Sequence, residues 1–202
     1  MGRRLGFTAD LSGCTGCKAC QLACKDKHRL GPGLLWRRVV EVAGGGWEES
    51  GDTWRDTSLT YFVSVSCMHC ERPICVEVCP TQAMARNEDG IVAIDPERCM
   101  GCRYCEWACP YGAPQFDADA GVMTKCDLCR DHLAEKRLPA CVAACPMRVL
   151  AVEDFEEGGT HGADTYPLPP ADLTEPQTAI EPHRDAKRAG DGAGLIGNGE
   201  EI

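Results

Sequence analysis

The sequence lacks an apolar run long enough to cross a membrane. A membrane-spanning helix needs about 18 or more consecutive apolar residues. The most apolar stretches here, Tyr61–Val65 and Ala140–Val152, are short or interrupted by Cys, Pro and Arg. Arg3 and Arg4 lie near the start, but Cys14 follows before an apolar signal segment could be completed. We therefore expect neither a membrane span nor an export signal in the chain.

Positive charge is also scarce. The 202 residues include 21 Lys and Arg against 31 Asp and Glu, which gives a formal net charge of −10. A nucleic-acid-binding surface needs a basic face, so a nucleic-acid partner is not expected. We expect most of the cationic side chains to solvate the surface, and leave open that some offset negative charge locally. No nucleophile–base pair, phosphate-binding loop or dinucleotide-binding turn stands out, so we expect no catalytic site in this chain.

Cysteine, by contrast, is abundant, and it occurs as sixteen residues in four groups of four with none left over. Every group contains C-x2-C and closes with x3-C, and the first and third groups have the spacing of the bacterial ferredoxin run. Since a cubane 4Fe–4S cluster takes four thiolates, sixteen ligands predict about four clusters. The groups are Cys14, Cys17, Cys20 and Cys24; Cys67, Cys70, Cys75 and Cys79; Cys99, Cys102, Cys105 and Cys109; and Cys126, Cys129, Cys141 and Cys145.

Two other uses of cysteine compete with this interpretation. A disulfide scaffold varies its spacing to fit its loops, whereas the spacing here is regular. Structural zinc uses C-x2-C pairs, but three thiolates within seven residues suit the corner of a cube better than a tetrahedral site. Proline follows the closing Cys of groups two, three and four at Pro80, Pro110 and Pro146, as in the ferredoxin run. Iron–sulfur clusters are therefore the favoured interpretation.

The order of the groups predicts an α+β fold made of two ferredoxin-like 4Fe–4S modules, one inserted into the other. Groups two and three, with the β-prone stretch 90–95 between them, give one module over residues 60–115. Groups one and four must then form the other, from residues 1–33 and 116–150. A two-cluster ferredoxin crosses its ligands over, with three Cys of one run and the last of the other on each cluster. We also expect a short helix after each closing Cys, with Cys17–Cys24 and Cys102–Cys109 as candidate stretches.

Two segments lie outside these modules. Residues 34–42 and 59–65 are β-prone and predict a strand pair, so that 34–59 is an inserted β-rich segment that either covers a module or contacts a partner. Residues 151–202 are rich in Asp, Glu, Gly and Pro, and predict an extended tail that builds no core and binds along a partner. His69 lies inside group two, where four Cys complete the site, so we expect it beside the ligands or at the surface.

A family resemblance emerges from the spacing that departs from the simple ferredoxin run. With four residues between the second and third Cys of group two, and eleven in group four, the sequence resembles the four-cluster electron-transfer subunits of molybdopterin oxidoreductases. More closely, it resembles the iron–sulfur (B) subunit of bacterial dimethyl sulfoxide reductase over nearly its whole length. The stretches that carry the resemblance are Cys14–Lys18, Ala23–Asp26, Ala43–Trp47, Cys99–Gln115, Gly121–Asp127 and Pro167–Pro169.

The resemblance implies a ligand set for each of four 4Fe–4S clusters. The implied sets are Cys14, Cys17, Cys20 and Cys145 nearest the molybdenum; then Cys24, Cys126, Cys129 and Cys141; then Cys67, Cys70, Cys75 and Cys109; and Cys79, Cys99, Cys102 and Cys105 nearest the membrane. It further implies a relay of electrons from a quinol-oxidising membrane anchor subunit to a molybdopterin catalytic subunit in anaerobic respiration. Molybdopterin guanine dinucleotide and quinol would belong to those partner subunits only.

The resemblance also implies a location. The complex would lie peripherally on the cell membrane, at its periplasmic or outer face, because the catalytic partner usually carries the export signal in this family. Two alternatives stay open at this point. The protein could be a freely diffusing polyferredoxin, or the equivalent subunit of another molybdoenzyme, such as formate dehydrogenase or a polysulfide, selenate or arsenate reductase.

Overall fold

A computed structural model describes residues 3–155, 164–191 and 194–201 of the chain. Over these residues it forms twelve short strands, five α-helices and three 3₁₀ helices. The strands are β1 (Leu5–Asp10), β2 (Arg38–Gly44), β3 (Trp47–Ser50), β4 (Thr53–Asp56), β5 (Leu59–Val65), β6 (Met84–Arg86), β7 (Val92–Ile94), β8 (Gln115–Asp117), β9 (Val122–Thr124), β10 (Leu150–Asp154), β11 (Thr178–Glu181) and β12 (Leu195–Ile196). The α-helices are α1 (Ala19–Lys27), α2 (Ile74–Glu77), α3 (Tyr104–Ala108), α4 (Arg130–Ala134) and α5 (Ala140–Ala143), and the 3₁₀ helices are Leu11–Gly13, Ala171–Leu173 and Gly199–Glu201.

Short helices and small, mostly antiparallel sheets thus share the chain, which confirms the predicted mixture of α and β structure. Helix α1 contacts α5, and α2 contacts α3, so the helices of groups one and four meet, as do those of groups two and three. In the part of the chain that the structure describes, no helix has both the length and the apolar character needed to cross a bilayer.

The first sheet has β1 at its centre, with β10 antiparallel on one side and β11 parallel on the other. Strand β1 alternates buried Leu5, Phe7 and Ala9 with more exposed positions, except that Gly6 between them is also buried. A Cβ on Gly6 would lie 1.8 Å from the carbonyl oxygen of Gln177 in the loop before β11. Glycine therefore allows the C-terminal segment to approach β1 this closely.

The prediction that residues 151–202 build no core is wrong for the described part of that segment. Strands β10 and β11 complete the first sheet, and β12 pairs with β2. Leu168 is buried in the main core, and the Tyr61 hydroxyl donates a hydrogen bond of 3.0 Å to the Tyr166 carbonyl oxygen. Composition misled here because scattered apolar and polar groups can dock on a core that another part of the chain has built. Residues 156–163, 192–193 and 202 of the predicted tail lie outside the described residues.

The second sheet contains the predicted strand pair. Strand β5 has the bounds expected for it, and it pairs antiparallel with β2 in the register Arg38 to Val65. The prediction began the first strand at Leu34, whereas β2 begins at Arg38. Residues before it form a loop that Lys25 holds, because its ammonium group donates hydrogen bonds to the carbonyl oxygens of Gly31 and Leu34.

Three two-stranded hairpins complete the strands, namely β3–β4, β6–β7 and β8–β9. Hairpin β6–β7 joins groups two and three and includes the β-prone stretch predicted at 90–95. Hairpin β3–β4 is exposed along both strands, and Trp47 and Trp54 both extend into solvent. Because its sequence shows no buried face, this hairpin is predicted only as part of a β-rich segment.

Both apolar cores include cysteine side chains. The main core joins the buried faces of β1, β2 and β5 with several thiols of groups one, two and four. A smaller core contains Cys75, Met84, Val92, Cys105 and Met123, so thiols of groups two and three are part of it. Most of the cysteine side chains are therefore held in position by packing, in addition to any bond they make to a metal.

A leucine pair tests whether the C-terminal segment docks as described. Leu168 is 7% exposed and Leu173 is 55% exposed. We expect Leu168→Ala to reduce the free energy of unfolding by about 2–4 kcal/mol, as for other buried leucines. Leu173→Ala should change it by less than about 0.5 kcal/mol, as is usual at exposed sites. Chemical denaturation of the metal-loaded protein measures both, and equal losses would contradict this docking.

Candidate metal centres

All sixteen cysteines lie in the described residues, and all are free thiols. The disulfide scaffold weighed from the composition is therefore not the arrangement observed. Nine of the sixteen are buried, six are partly buried, and Cys17 is exposed. Burial of so many thiols, most of them within the apolar cores, gives the soft sulfur donors that iron–sulfur clusters use.

The backbone turns the same way at each C-x2-C motif. The residue just before the second Cys has a positive φ in all four groups, at Gly16 (+67°), His69 (+46°), Gly101 (+70°) and Leu128 (+61°). The amide of His69 donates to the Cys67 sulfur at 3.4 Å, and the amide of Gly16 donates likewise to Cys14. The backbone between the two thiols thus turns so that its N–H groups point at sulfur.

A glycine pair tests the geometry of the first of these turns. Gly16 has a left-handed backbone, and a Cβ there would lie 2.5 Å from atoms of the Phe62 ring, whereas Gly33 is left-handed (φ +79°) with nothing within 4 Å. We expect Gly33→Ala to cost about 1 kcal/mol of stability from backbone strain alone. Gly16→Ala should lose more than this and should also perturb the visible absorption of the metal centre, because its turn carries Cys14 and Cys17. Equal losses, with an unchanged spectrum, would show that this turn is not constrained by Phe62.

The third Cys of every group lies in a short helix. Cys20 is in α1, Cys75 in α2, Cys105 in α3 and Cys141 in α5. Helices α1 and α3 lie on the two predicted candidate stretches, but in groups two, three and four the helix precedes the closing Cys instead of following it. The physical reason is the following proline, because a residue before proline is disfavoured in helical conformation. No proline follows Cys24 in group one, and α1 runs through it to Lys27.

One set of neighbouring thiols joins group one to the end of group four. Burial raises the pKa of the Cys14 thiol, and Cys20, Cys145 and Cys17 raise it further by charge repulsion. All four side chains line a single cavity. We call Cys14, Cys17, Cys20 and Cys145 set one.

A second set joins the end of group one to the rest of group four. Burial raises the pKa of the Cys24 thiol to about 12, and nearby Cys141 and Cys129 act in the same direction. Burial also raises the pKa of Cys126 well above its ordinary value, to which Cys24 and Cys141 contribute. These four thiols, Cys24, Cys126, Cys129 and Cys141, form set two, and all of them are buried.

Group two and the end of group three supply a third set. Burial raises the pKa of the Cys70 thiol to about 12, with repulsion from Cys67 and Cys109. Burial likewise raises the pKa of Cys75, and Cys67, Cys109 and Cys70 raise it further. Cys67, Cys70, Cys75 and Cys109 are set three.

The fourth set joins the end of group two to group three. Burial raises the pKa of Cys105 to about 11, and Cys102, Cys79 and Cys99 add to this. Cys79 differs, because its pKa lies below the ordinary value. Partial burial opposes ionisation there, but amide groups of the following turn and the Thr81 side chain outweigh it. Cys79, Cys99, Cys102 and Cys105 are set four.

Neighbouring sets occur in one order. Sets one and two adjoin at Cys20 and Cys141. Burial has the largest effect on the pKa of Cys20 and raises it, and the nearby Cys141 raises it further. Sets two and three adjoin at Cys126 and Cys67. Burial raises the pKa of Cys126 most, and the nearby Cys67 also raises it. Sets three and four share the smaller core through Cys75 and Cys105. The four sets therefore follow one another in a single succession, from set one to set four.

The donor chemistry of the sets fits a metal cluster. Four neighbouring thiols repel one another once they are ionised, so the thiolates of such a set are unstable unless a cation lies among them. Thiols must lose their protons to bind a metal, so loading such a set would release protons and would couple metal binding to folding. These observations show which thiols lie together, while the assignment of ligands to clusters stays a prediction.

The positions of most side chains beside the thiols could not be predicted from the sequence. His69 is fully buried, so the surface alternative for it is wrong, and its Nδ1 accepts a hydrogen bond of 3.2 Å from the Val92 amide. Arg37 and Lys125 are buried among thiols, although most cations were expected at the surface. No local pattern distinguishes these two from the other Lys and Arg residues in the sequence.

One further cluster could hold a metal by its ligand atoms alone. His28, Asp127 and Cys129 bring a nitrogen, a carboxylate oxygen and a sulfur within 4.8 Å of one another. Cys129 already belongs to set two, and His28 Nε2 lies 3.4 Å from its sulfur. The His28 ring also contacts Trp36, with ring centroids 4.4 Å apart. We interpret this cluster as the surroundings of Cys129 rather than as a separate site.

Comparison with known proteins agrees with this donor set. Residues 58–155 match the family model described as a 4Fe-4S dicluster domain. The sequence is 47% identical to the YnfG subunit of the probable anaerobic dimethyl sulfoxide reductase of Escherichia coli K12, over the full length of both. It is 46% identical to the B subunit of anaerobic dimethyl sulfoxide reductase from the same organism, again over the full length of both. It is also 46% identical to the B subunit from Haemophilus influenzae, over 98% of each protein.

Proposed function

The protein belongs to the family of the B subunit of anaerobic dimethyl sulfoxide reductase, and we propose that it relays electrons from a quinol-oxidising membrane anchor subunit to a molybdopterin catalytic subunit. It would be an electron-transfer subunit without a catalytic site of its own. Molybdopterin guanine dinucleotide and quinol would bind only to the partner subunits.

Four 4Fe–4S clusters would be held by the four thiol sets. Support comes from the pairing of thiols across groups, because each set takes three Cys from one group and one from another. The contacts of α1 with α5 and of α2 with α3 favour two ferredoxin-like modules, with residues 60–115 inserted between 1–33 and 116–150. When bound, each cluster would supply a one-electron carrier.

The observation that carries the proposal is the gradient of exposure along the succession of sets. Set two has four buried thiols and set three has two buried and two partly buried thiols, whereas set one includes exposed Cys17 and set four has three partly buried thiols. Exposure at both ends and burial between them suits a path that begins and ends at partner proteins. A storage protein with independent sites would need no such order.

Exposed apolar side chains flank both ends of the succession. Met100, Tyr104 and Trp107 lie beside the thiols of set four and are exposed. Leu22 is exposed on α1, and exposed Met147 lines the cavity of set one. We assign the set-four end to the anchor subunit and the set-one end to the catalytic subunit. Single exposed apolar residues are common, but groups of them mark protein interfaces.

The complex would lie at the periplasmic or outer face of the cell membrane, carried there by the export signal of the catalytic partner. Protease treatment of intact spheroplasts tests this location. Degradation of the protein in intact spheroplasts is expected, and protection until the membrane is disrupted would place the complex on the other side.

Anaerobic purification from native membranes tests the proposed function. We expect a brown protein that co-purifies with a larger catalytic subunit and a membrane subunit, and that contains iron. A monomer without a large partner would favour the freely diffusing polyferredoxin. A colourless protein without iron would contradict iron–sulfur electron transfer in either form.

A further inference from the structure

Two cations, Arg37 and Lys125, are buried between the thiol sets. Arg37 is 2% exposed and Lys125 is 3% exposed. Among the residues that the structure describes, neither forms an ion pair with Asp or Glu. A buried charge is strongly unfavourable unless it is paired, so each of these two groups needs an anion nearby.

Arg37 lies between sets one and two. Its guanidinium donates hydrogen bonds to the Ser64 hydroxyl at 3.1 Å and to the Ser66 hydroxyl at 2.9 Å, both of them neutral. The Ser64 hydroxyl in turn lies 3.4 Å from the Cys20 sulfur of set one. The backbone N–H of Arg37 donates to the sulfur of Cys24 in set two.

The remaining contacts of Arg37 also leave its charge unmatched. The guanidinium lies over the Phe7 ring, 4.3 Å from its centroid, and its Nε has no hydrogen-bond partner. The thiols of Cys141, Cys126 and Cys20 are the charged neighbours it would have once they are ionised. The β2–β5 sheet brings Arg37 and Ser64 to this position, which gives the inserted segment a role beyond cover or partner contact.

Lys125 has the equivalent position between sets two and three. Its ammonium group donates hydrogen bonds to the Val92 carbonyl oxygen and, at 2.7 Å, to that of Cys126. It also donates to the Cys67 sulfur of set three. Around set four, the neighbours with the largest effect on the pKa of Cys105 are the thiols Cys102, Cys79 and Cys99.

We infer that Arg37 and Lys125 are fixed counter-ions for the metal centres, with Arg37 serving sets one and two and Lys125 serving sets two and three. This inference rests on the proposed function, in which those sets hold iron–sulfur clusters. Four thiolates outweigh the positive charge of the cluster core, and reduction adds another negative charge. A nearby cation therefore favours the reduced form and raises the midpoint potential, since net charge is one of the factors that set it.

Potentiometric titration of the anaerobically purified complex, followed by EPR, tests this inference. In Arg37→Gln, two of four midpoint potentials should shift downwards, and in Arg37→Lys, which keeps the charge, they should stay near the wild-type values. In Lys125→Gln, two potentials should shift downwards, one of them shared with Arg37→Gln, while Lys125→Arg should change little. The potential that belongs to set four should be unchanged in all of these variants.

Each outcome distinguishes the inference from the function on which it rests. A wild-type complex without cluster signals would contradict the proposed function itself. Four assembled clusters with unchanged potentials in both Gln variants, or an equal shift of all four, would overturn the counter-ion role. If Arg37→Gln does not assemble, Arg37→Met decides, because it also removes the charge but keeps an unbranched side chain that suits a buried site. The same two potentials should then shift downwards, and unchanged potentials would overturn the role of Arg37.

Discussion

Replacing Cys102 by Ser is expected to abolish quinol-linked turnover of the complex while leaving most of the protein's iron in place. Cys102 belongs to set four, the proposed entry point, and its neighbours Cys79, Cys99 and Cys105 belong to no other set. The substitution should therefore convert or remove only the metal centre of set four. Quinol-dependent substrate reduction would measure the loss, and artificial donors that enter nearer the catalytic subunit should still support turnover.

Cys17→Ser is the matched control, because it makes the same substitution at the other end of the succession. With Cys102→Ser, quinol should fail to reduce the remaining iron–sulfur EPR signals. With Cys17→Ser, quinol should still reduce those signals, but the substrate should fail to reoxidise them. Undiminished quinol-linked activity in Cys102→Ser would contradict the assignment of set four to the entry side.

Removing the iron is expected to unfold most of the protein. Buried thiols form part of both apolar cores, and the turns that carry them contain little regular structure. A structural metal can contribute about 10–16 kcal/mol to folding, whereas a whole domain is stable by only about 5–15 kcal/mol. Loss of the metal should therefore outweigh the rest of the folding free energy.

Anaerobic chelation followed by circular dichroism and amide exchange measures this effect. Amides of β1, β2 and β5 should lose protection together with the iron, because these strands share a core with the thiols. Amides of the exposed β3–β4 hairpin should change least, and they provide an internal control. Retention of full protection in β1 and β5 after complete iron loss would show that packing alone maintains the fold.

Much of the site could be predicted from spacing, because the chemistry of a cluster restricts the backbone locally. Two thiols that converge on one centre need a turn between them, and that turn is present at Gly16 and at His69. Proline after a closing Cys is also local, and it explains why helices end before Cys79 and Cys109. This steric effect of proline on the preceding residue accounts for helices that precede the closing Cys, where a following helix was expected.

Contacts between distant parts of the sequence could not be predicted in this way. Leu168 and Gly6 have their roles only because the C-terminal segment returns to β1, and composition gives no sign of that return. Arg37 is preceded and followed by residues that suit an ordinary strand, so its burial depends on where β5 brings Ser64. Long-range packing, rather than local preference, decides these positions.

The central claim is that ligands cross between cysteine groups, and three serine variants test it most directly. Cys145→Ser and Cys17→Ser come from different groups but from the same set, so EPR of the reduced complex should lose or convert the same component in both. Cys141→Ser, only four residues from Cys145 in the sequence, should affect a different component. If Cys145→Ser instead altered the same component as Cys141→Ser, the ligands would follow the groups and the crossed arrangement would be wrong.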